Sequence, residues 1–550
     1  MNNKALRVVA AIDFGTTFSG FAYAHFSSKN IIVHDEWDES IGQFKHPTTL
    51  KYDDSLNVIS WGYPALAEKP SKTKAPSKTR PAERFKLCLG EIREEDITFA
   101  PYLPDGLDYK KAIEDYIRKM SNLIKDTLRN RWPEVDFYTQ VLIIMTIPAE
   151  FETKAMRTLR DCAFAAELIK DPDTPNLKFI QEPEAAAIHC MKNLKELNIR
   201  AGSTYMVVDC GGGTVDLTTR KLLPGKRLGE KTISKGDYCG GIFVDEEFIK
   251  FLGSKIGQSA INLIREKHYN QFQYMVQEFS RRVKIPFTGE RKDFKPFDLD
   301  LEELCPVAKQ YIRGSHRDEL EESEWVVELK FEDVKKMFDP VVKKILGLIR
   351  QQLDECNDYV SAILLVGGFS ESKYLQVRVK QEFKQRVRNI SVPSNPITAI
   401  VKGAVQYGLK HDVIATRVLK WTYGTDVARM WEPGDPPNQK LPGDIVIEFS
   451  ILAKRGDEIS VDEVVTRVFR PASILQSKIG LDLFTTDKDD VNFFDSPHIN
   501  LLGKWSIDIP VTFSIRPIFM VLNFGELEID AAAFNLLTGE SYNTTFELDI

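Results

Sequence analysis

Two short segments of this 550-residue chain combine a carboxylate, glycines and hydroxyls in an order that suits phosphate chemistry. The first is Asp13-Phe14-Gly15-Thr16-Thr17, and the second is Asp209-Cys210-Gly211-Gly212-Gly213-Thr214-Val215-Asp216. A polyphosphate needs backbone N–H groups that can approach it closely, and glycine provides them because it lacks Cβ and tolerates unusual dihedrals. It also needs a divalent cation. Asp13 and Asp209 can hold the water ligands of Mg²⁺, while Thr16, Thr17 and Thr214 offer hydroxyls to phosphate oxygens. One Asp-x-Gly-Thr turn is as often a plain structural turn as a site, but two opposed turns can clamp one polyphosphate chain.

A third element is the apolar run 362–366, which ends in Gly367-Gly368 before a helix starting at Ser372. Ligands of α/β proteins collect at the carboxyl ends of strands, so this glycine pair is the expected seat of ribose and adenine. Neither Gly-x-x-x-x-Gly-Lys-Ser/Thr nor Gly-x-Gly-x-x-Gly occurs, which removes two common nucleotide-binding loops.

The elements that position these residues are legible from periodicity. Residues 6–12 read as a strand running into Asp13, and 204–208 as a second strand running into Asp209. Ile113, Ile117, Met120, Leu123, Ile124 and Leu128 recur at helical spacing within 110–131, an amphipathic helix whose stripe is core. A buried strand over 141–147, helix-forming residues over 150–170, a short strand over 177–180 and an Ala-rich helix near Glu184 continue the alternation of an α/β layer structure. Recurrence of the Asp turn far down the chain indicates an internal duplication of a whole α/β subdomain, giving two facing lobes. Past residue 410 the pattern changes to short apolar runs at 445–452, 464–469, 518–523 and 527–534 between Gly and Pro turns, which predicts a small antiparallel β domain. The expected division is 1–410 and 411–550.

A chain of this length exceeds the ~250–300 residues that one core usually serves. With 43% hydrophobic and 28% charged residues, it has the composition of a globular protein. A net charge of -7 argues against general nucleic-acid binding, and the basic stretch 69–86 lacks interleaved aromatics and reads as a solvated loop. The 7 cysteines are scattered, odd in number and without a Cys-x-x-Cys pair, so neither a zinc knuckle nor a disulfide framework is indicated, and a reducing compartment fits best. No window reaches the ~18 apolar residues of a spanning helix, so no membrane association is expected. The location expected is cytoplasmic, with nuclear access open.

Asp13 to Thr17, Glu182-Pro183 before an Ala run, Asp209 to Asp216, Gly240-Gly241 and Val366-Gly367-Gly368 follow the order of the actin, sugar-kinase and heat-shock superfamily. The chain resembles the heat-shock seventy-kilodalton family. Phe14, Thr422-Tyr423-Gly424 and Phe524-Gly525-Glu526 resemble its divergent member-12-type branch. The fold this implies is an actin-like ATPase with duplicated lobes followed by a small antiparallel β domain. The resemblance implies an ATP/ADP and Mg²⁺ site in which Asp13 and Asp209 serve the metal through water and Thr214 touches the terminal phosphate. By the same resemblance Glu182 orders the attacking water, and Lys86 neutralises the transferred phosphate, with Lys78 and Arg80 as neighbouring candidates. Gly15, Gly211, Gly212, Gly213, Gly240 and Gly241 cradle phosphate, and Glu278, Arg281 and Arg282 grip adenosine. A cation near the transferred group stabilises transition-state charge.

The sequence also departs from that family. Ile397-Thr398 follows Pro396 where the usual chaperones carry an acidic-polar pair, residues 411–420 are not the acidic Leu-rich linker, and the C-terminal region is too short for a helical lid. The leading expectation is a slowly ATP-hydrolysing, chaperone-like protein whose β domain takes a polypeptide client or a regulatory protein. A nucleotide-gated scaffold without turnover is the alternative, and a small-molecule kinase of the superfamily a more distant one, since fold does not fix function.

Overall fold

The six residues Val8–Asp13, VVAAID, are all buried, and strands buried on both faces belong at the centre of a sheet. This strand runs parallel to Val141–Ile147 and antiparallel to Phe18–His25, in the sheet order Leu177–Gln181, Val141–Ile147, Val8–Asp13, Phe18–His25, Ile32–Val33. The same polarity recurs at Thr204–Cys210, which is parallel to Val360–Val366 and antiparallel to Val215–Leu223. Asp13 is the last residue of one fully buried central strand and Asp209 the last but one of another.

The computed structural model describes residues 6–37, 40–70, 79–90, 100–149, 151, 153–470, 475–488, 491, 493, 498–509, 517–524, 527, 529–535, 539, 541, 542 and 544–548. Lys78, Glu150, Gly525 and Glu526 lie outside them. The chain divides into two units, one of Met1–Leu222 with Ser234–His411 and one of Leu223–Ile233 with Asp412–Ile550.

In the first unit, helices cover the sheets as the 3.6-residue pattern requires. Tyr109–Arg131 buries Ile113, Ile117, Met120, Ile124 and Leu128. Glu182–Glu196 and Ala399–Leu409 pack so closely that a Cβ on Gly403 would lie 1.7 Å from the Ala185 carbonyl oxygen. A Cβ on Gly408 would meet Val9 at 2.4 Å, so the second of these helices also rests on the first sheet. Around Thr204–Cys210 the core includes Phe248, Phe272, Phe279, Phe338 and Val342, with Phe248 and Phe279 stacked 3.9 Å apart.

The second unit is mainly antiparallel β. One sheet runs in the order Ile445–Ala453, Thr422–Met430, Lys478–Thr486, Asn500–Asp508, Thr544–Leu548, and another Val464–Phe469, Ile518–Asn523, Asp530–Asn535, Ser541–Tyr542. Leu452, Ile479, Leu483, Ile518, Met520 and Leu522 are among its buried core. Within this unit Arg227–Glu230 lies parallel to Ile414–Val418, with Leu228 opposite Ile414, and Val418 N–H donates to Glu230 Oε2 at 2.9 Å. Among the described residues no helix is long and apolar enough to cross a membrane.

Candidate functional site

The turn after Asp13 is tight because Gly15 permits it: a Cβ there would sit 2.2 Å from the Phe18 carbonyl oxygen. Gly15 N–H donates to Ser19 Oγ at 3.1 Å, and Thr48 Oγ1 donates to the Gly15 carbonyl at 2.8 Å, which fixes the loop from the neighbouring strand. The second turn is closed by Gly211 N–H on the Thr214 carbonyl at 2.9 Å. Gly240-Gly241 then lies on it, with Gly240 N–H on Gly213 O at 3.1 Å, Gly241 N–H on Gly211 O at 3.0 Å and Ile242 N–H on Gly212 O at 2.9 Å. The helix Ile242–Ile256 starts there, and a helix N-terminus favours negative charge.

The two turns meet. A Cβ on Gly212 would stand 2.1 Å from Thr17 Oγ1. Asp209 is level with Val366 in the parallel ladder, so Gly367 follows directly beside it. Gly367 has φ +83°, and a Cβ on it would come within 2.3 Å of Asp209 Oδ1. These glycines are held by backbone and carboxylate proximity.

Around the turns lies a cavity of about 390 Å³, within the ~300–1,000 Å³ usual for small-molecule pockets. Asp13, Asp209, Glu182, Lys86 and Thr214 all line it. Gly15, Thr16, Thr17, Gly211, Gly212, Gly213, Gly241, Gly367 and Gly368 also line it. Gly240 supports the loop from behind without reaching the cavity wall.

Lys86 Nζ donates to Glu182 Oε1 at 2.7 Å, with side-chain exposures of 2% and 8%. The basic stretch expected to be a solvated loop leaves Lys69 exposed but turns inward at its end, where Arg84 and Lys86 are buried. Arg80 pairs with Glu83 at 2.7 Å and stacks over Tyr102 and Tyr269, which takes it out of contention for phosphate. Lys45, not anticipated from sequence, stands 2.7 Å from Asp13 Oδ2. Thr146 Oγ1 donates to the other oxygen, Asp13 Oδ1, at 3.5 Å.

Electrostatically the site is under tension. Burial, and then the charge of Glu182, raises the Asp209 carboxyl to about 8, with Lys45 opposing. Burial raises Glu182 as well, against the pull of Lys86. Burial works against the Lys45 ammonium, yet Asp13 beside it, helped by Asp209 and Glu182, holds its pKa above the ordinary lysine value. A bound divalent cation reverses the local logic that keeps carboxyls protonated. Asp209 Oδ1 is buried without a hydrogen-bond partner among the described residues, so it is an acceptor waiting for a donor such as a metal-bound water. Among the described residues no group of three or more His, Cys, Asp or Glu side chains could hold a metal directly. The residues thus fit an ion carried mainly by water and phosphate.

Of Glu278, Arg281 and Arg282, only Arg281 lines the cavity; Glu278 is instead engaged by Arg281 at 2.8 Å and Arg282 at 2.7 Å. The lining residues of this segment include Gln273, Gln277, Ser280, Arg281 and Lys284. The helix Tyr269–Phe279 passes into a π-helical turn at Ser280–Lys284, where the α-helical repeat no longer predicts direction. Lys284 Nζ is held by Asp245 Oδ2 at 2.7 Å in the same wall.

No protein-family model matches the chain. It is similar to heat shock 70 kDa protein 12A of Mus musculus, 26% identical over 97% of this chain and 90% of that protein. It is similar to heat shock 70 kDa protein 12B of Homo sapiens, 25% identical over 98% and 91%, and to the chaperone protein HscA of Buchnera aphidicola, 24% identical over 74% and 70%. With its glycine turns, acidic strand residues and cavity, the chain is similar over nearly its whole length to heat-shock 70 kDa proteins of the member-12 type.

Proposed function

We propose that this protein binds ATP with Mg²⁺ in the cavity between the two Asp turns, hydrolyses it slowly, and uses the β unit to hold a polypeptide. The observation that carries the reading is the meeting of the turns at Gly212 and Thr17, with Asp13, Asp209, Glu182 and Lys86 lining the same cavity. Backbone N–H groups of the two glycine turns would bind phosphate oxygens, and Thr17 and Thr214 would add hydroxyl donors. When bound, magnesium neutralises phosphate charge, and Asp13 and Asp209 are the residues that would hold it through water. Lys86 stabilises negative charge on the transferred group, and its ion pair orients Glu182 toward an attacking water.

One observation favours a second reading, a nucleotide-gated scaffold. The 2.7 Å Lys86–Glu182 pair occupies both groups that turnover requires, and breaking a buried pair is costly. Turnover by the full chain, measured beside Asp209→Asn with ATP affinity recorded for both, separates the readings. Asp209-dependent turnover is expected; tight binding with no such turnover leaves the scaffold, and no ATP binding at all rejects both.

A further inference from the structure

Among the described residues three lysines line the cavity, and each faces its own carboxylate: Lys86 meets Glu182, Lys284 meets Asp245 and Lys45 meets Asp13. The proposed reaction gives Lys86 a task and Lys45 none. Yet the place of Lys45 is built. Trp37 Nε1 donates to the Gln43 carbonyl at 2.7 Å, the buried His46 ring stacks on Trp37, and Tyr63 OH donates to the Lys45 carbonyl at 3.4 Å, so the backbone that carries Lys45 is pinned on both sides. Asp13 stands opposite Gly20 in the antiparallel ladder, and a Cβ on Gly20 would lie 3.3 Å from Lys45 Cγ. The bare backbone at Gly20 lets the lysine stem lie against the strand and reach Asp13.

Its ammonium stands on the metal side of the site. Lys45 Nζ lies 2.7 Å from Asp13 Oδ2, with side-chain exposures of 13% and 2%. Among the described residues no donor is aligned on that oxygen as a hydrogen bond, so Lys45 acts on Asp13 as a compact point charge, as a cation does. The charges of Asp209 and Glu182 reach the same ammonium. An ammonium has three N–H donors, so one that faces Asp13 keeps others for phosphate oxygens.

We infer, resting on the reading that ATP binds in this cavity, that Lys45 is a built-in counterion: it bridges Asp13 to the phosphates and supplies much of the neutralisation otherwise left to Mg²⁺. ATP affinity then depends only weakly on the divalent cation. A charge held in place before the ligand arrives needs no reorganisation to meet it. Like charges a few ångströms apart also oppose one another, so Lys45 reduces what a divalent ion gains at Asp13. The unpartnered Asp209 Oδ1 is left as the better receiver of an ion's water shell. A lysine that served only to neutralise buried Asp13 would change stability and leave the metal dependence of binding where it was.

The test measures ATP affinity of the full chain by calorimetry, once with Mg²⁺ and once with EDTA, for the parent, Lys45→Met and Lys45→Arg. In the parent, removal of Mg²⁺ should weaken binding by less than about fivefold. Lys45→Met keeps the length of the side chain without its charge, and its loss on moving to EDTA should exceed the parent's by about tenfold. Lys45→Arg keeps the charge and should behave as the parent does. A parent whose own loss passes the fivefold bound overturns the inference without any variant, so a Lys45→Met chain that fails to fold does not shield it. Equal losses in the parent and Lys45→Met overturn it as well. Absence of ATP binding by the parent in both buffers is a different failure, which rejects the ATP site itself and the inference with it.

Discussion

Lys86 and Glu182, 96 positions apart in sequence, form a 2.7 Å ion pair with both side chains almost wholly removed from solvent. Removing one partner strands the other charge, which costs about 3–5 kcal/mol in comparable buried pairs. Lys86→Ala should therefore lower the midpoint of urea unfolding and abolish turnover. Glu182→Gln, which keeps a hydrogen-bond acceptor for Lys86, should retain more stability while losing turnover. Denaturation curves and single-turnover rates on both variants check this; equal stability loss in the two would contradict it.

Gly367→Ala places a Cβ 2.3 Å from Asp209 Oδ1 at a φ of +83°. The left-handed backbone and the clash together should cost about 1–3 kcal/mol. Since the displaced atom is the unpartnered carboxylate oxygen at the cavity, ATP affinity should fall by more than tenfold, measured by calorimetry. Gly434→Ala, at φ +123° but with open space around it, is expected to carry a comparable backbone cost and to leave ATP binding unchanged.

His46 provides a pH-dependent term in stability. It is fully buried, stacked on Trp37 at 4.8 Å and edge-on to Trp61 at 4.6 Å, and burial followed by repulsion from His34 lowers its pKa to about 4. The unfolded imidazole takes up a proton near its ordinary value of 6.5, whereas the folded one stays neutral. The folded state is thus penalised as pH falls from 6.5 toward 4, by roughly 3 kcal/mol across that window, and no further below it. The difference in unfolding free energy between the parent and His46→Phe, followed from pH 7 to pH 4, should shrink over that interval. A constant difference would dismiss the mechanism.

Gly403→Val tests the crossing of the two helices. A Cβ there already falls 1.7 Å from the Ala185 carbonyl oxygen, so the helices must separate. Overpacking of this kind costs about 1–3 kcal/mol or more. Because Glu182 begins one helix and Ile400 on the other lines the cavity, ATP affinity should fall along with the unfolding midpoint.

Much of this architecture was legible in the residues. Val141–Ile147, Val464–Phe469 and Ile518–Asn523 stand where their apolar runs predict, and the helix after Gly367-Gly368 starts at Lys373 with Ser372 as its N-cap, accepting from Leu375 N–H at 3.3 Å. Glycine needs also announced themselves, since Gly212 and Gly367 sit where a side chain cannot. Lys45 gave no signal because its place is set by strand pairing: Ser19 lies opposite His46 and Phe18 opposite Pro47, which swings Lys45 over Asp13. The π turn at Ser280–Lys284 changes which residues of this segment line the cavity, and no count of three and four anticipates it. Lys478–Thr486 and Asn500–Asp508 escaped notice because Gly480, Asp482 and Lys504 interrupt their apolar alternation.

The excursion of Leu223–Ile233 into the second unit has a bearing on how the protein can be divided. The chain crosses between the units three times, so a single cut near residue 411 does not release two self-sufficient pieces. It takes Ile414–Val418 away from Arg227–Glu230 and leaves each fragment with a raw strand edge, the usual starting point for aggregation. Insolubility of either half expressed alone would then reflect a broken ladder rather than an inability of its own core to fold.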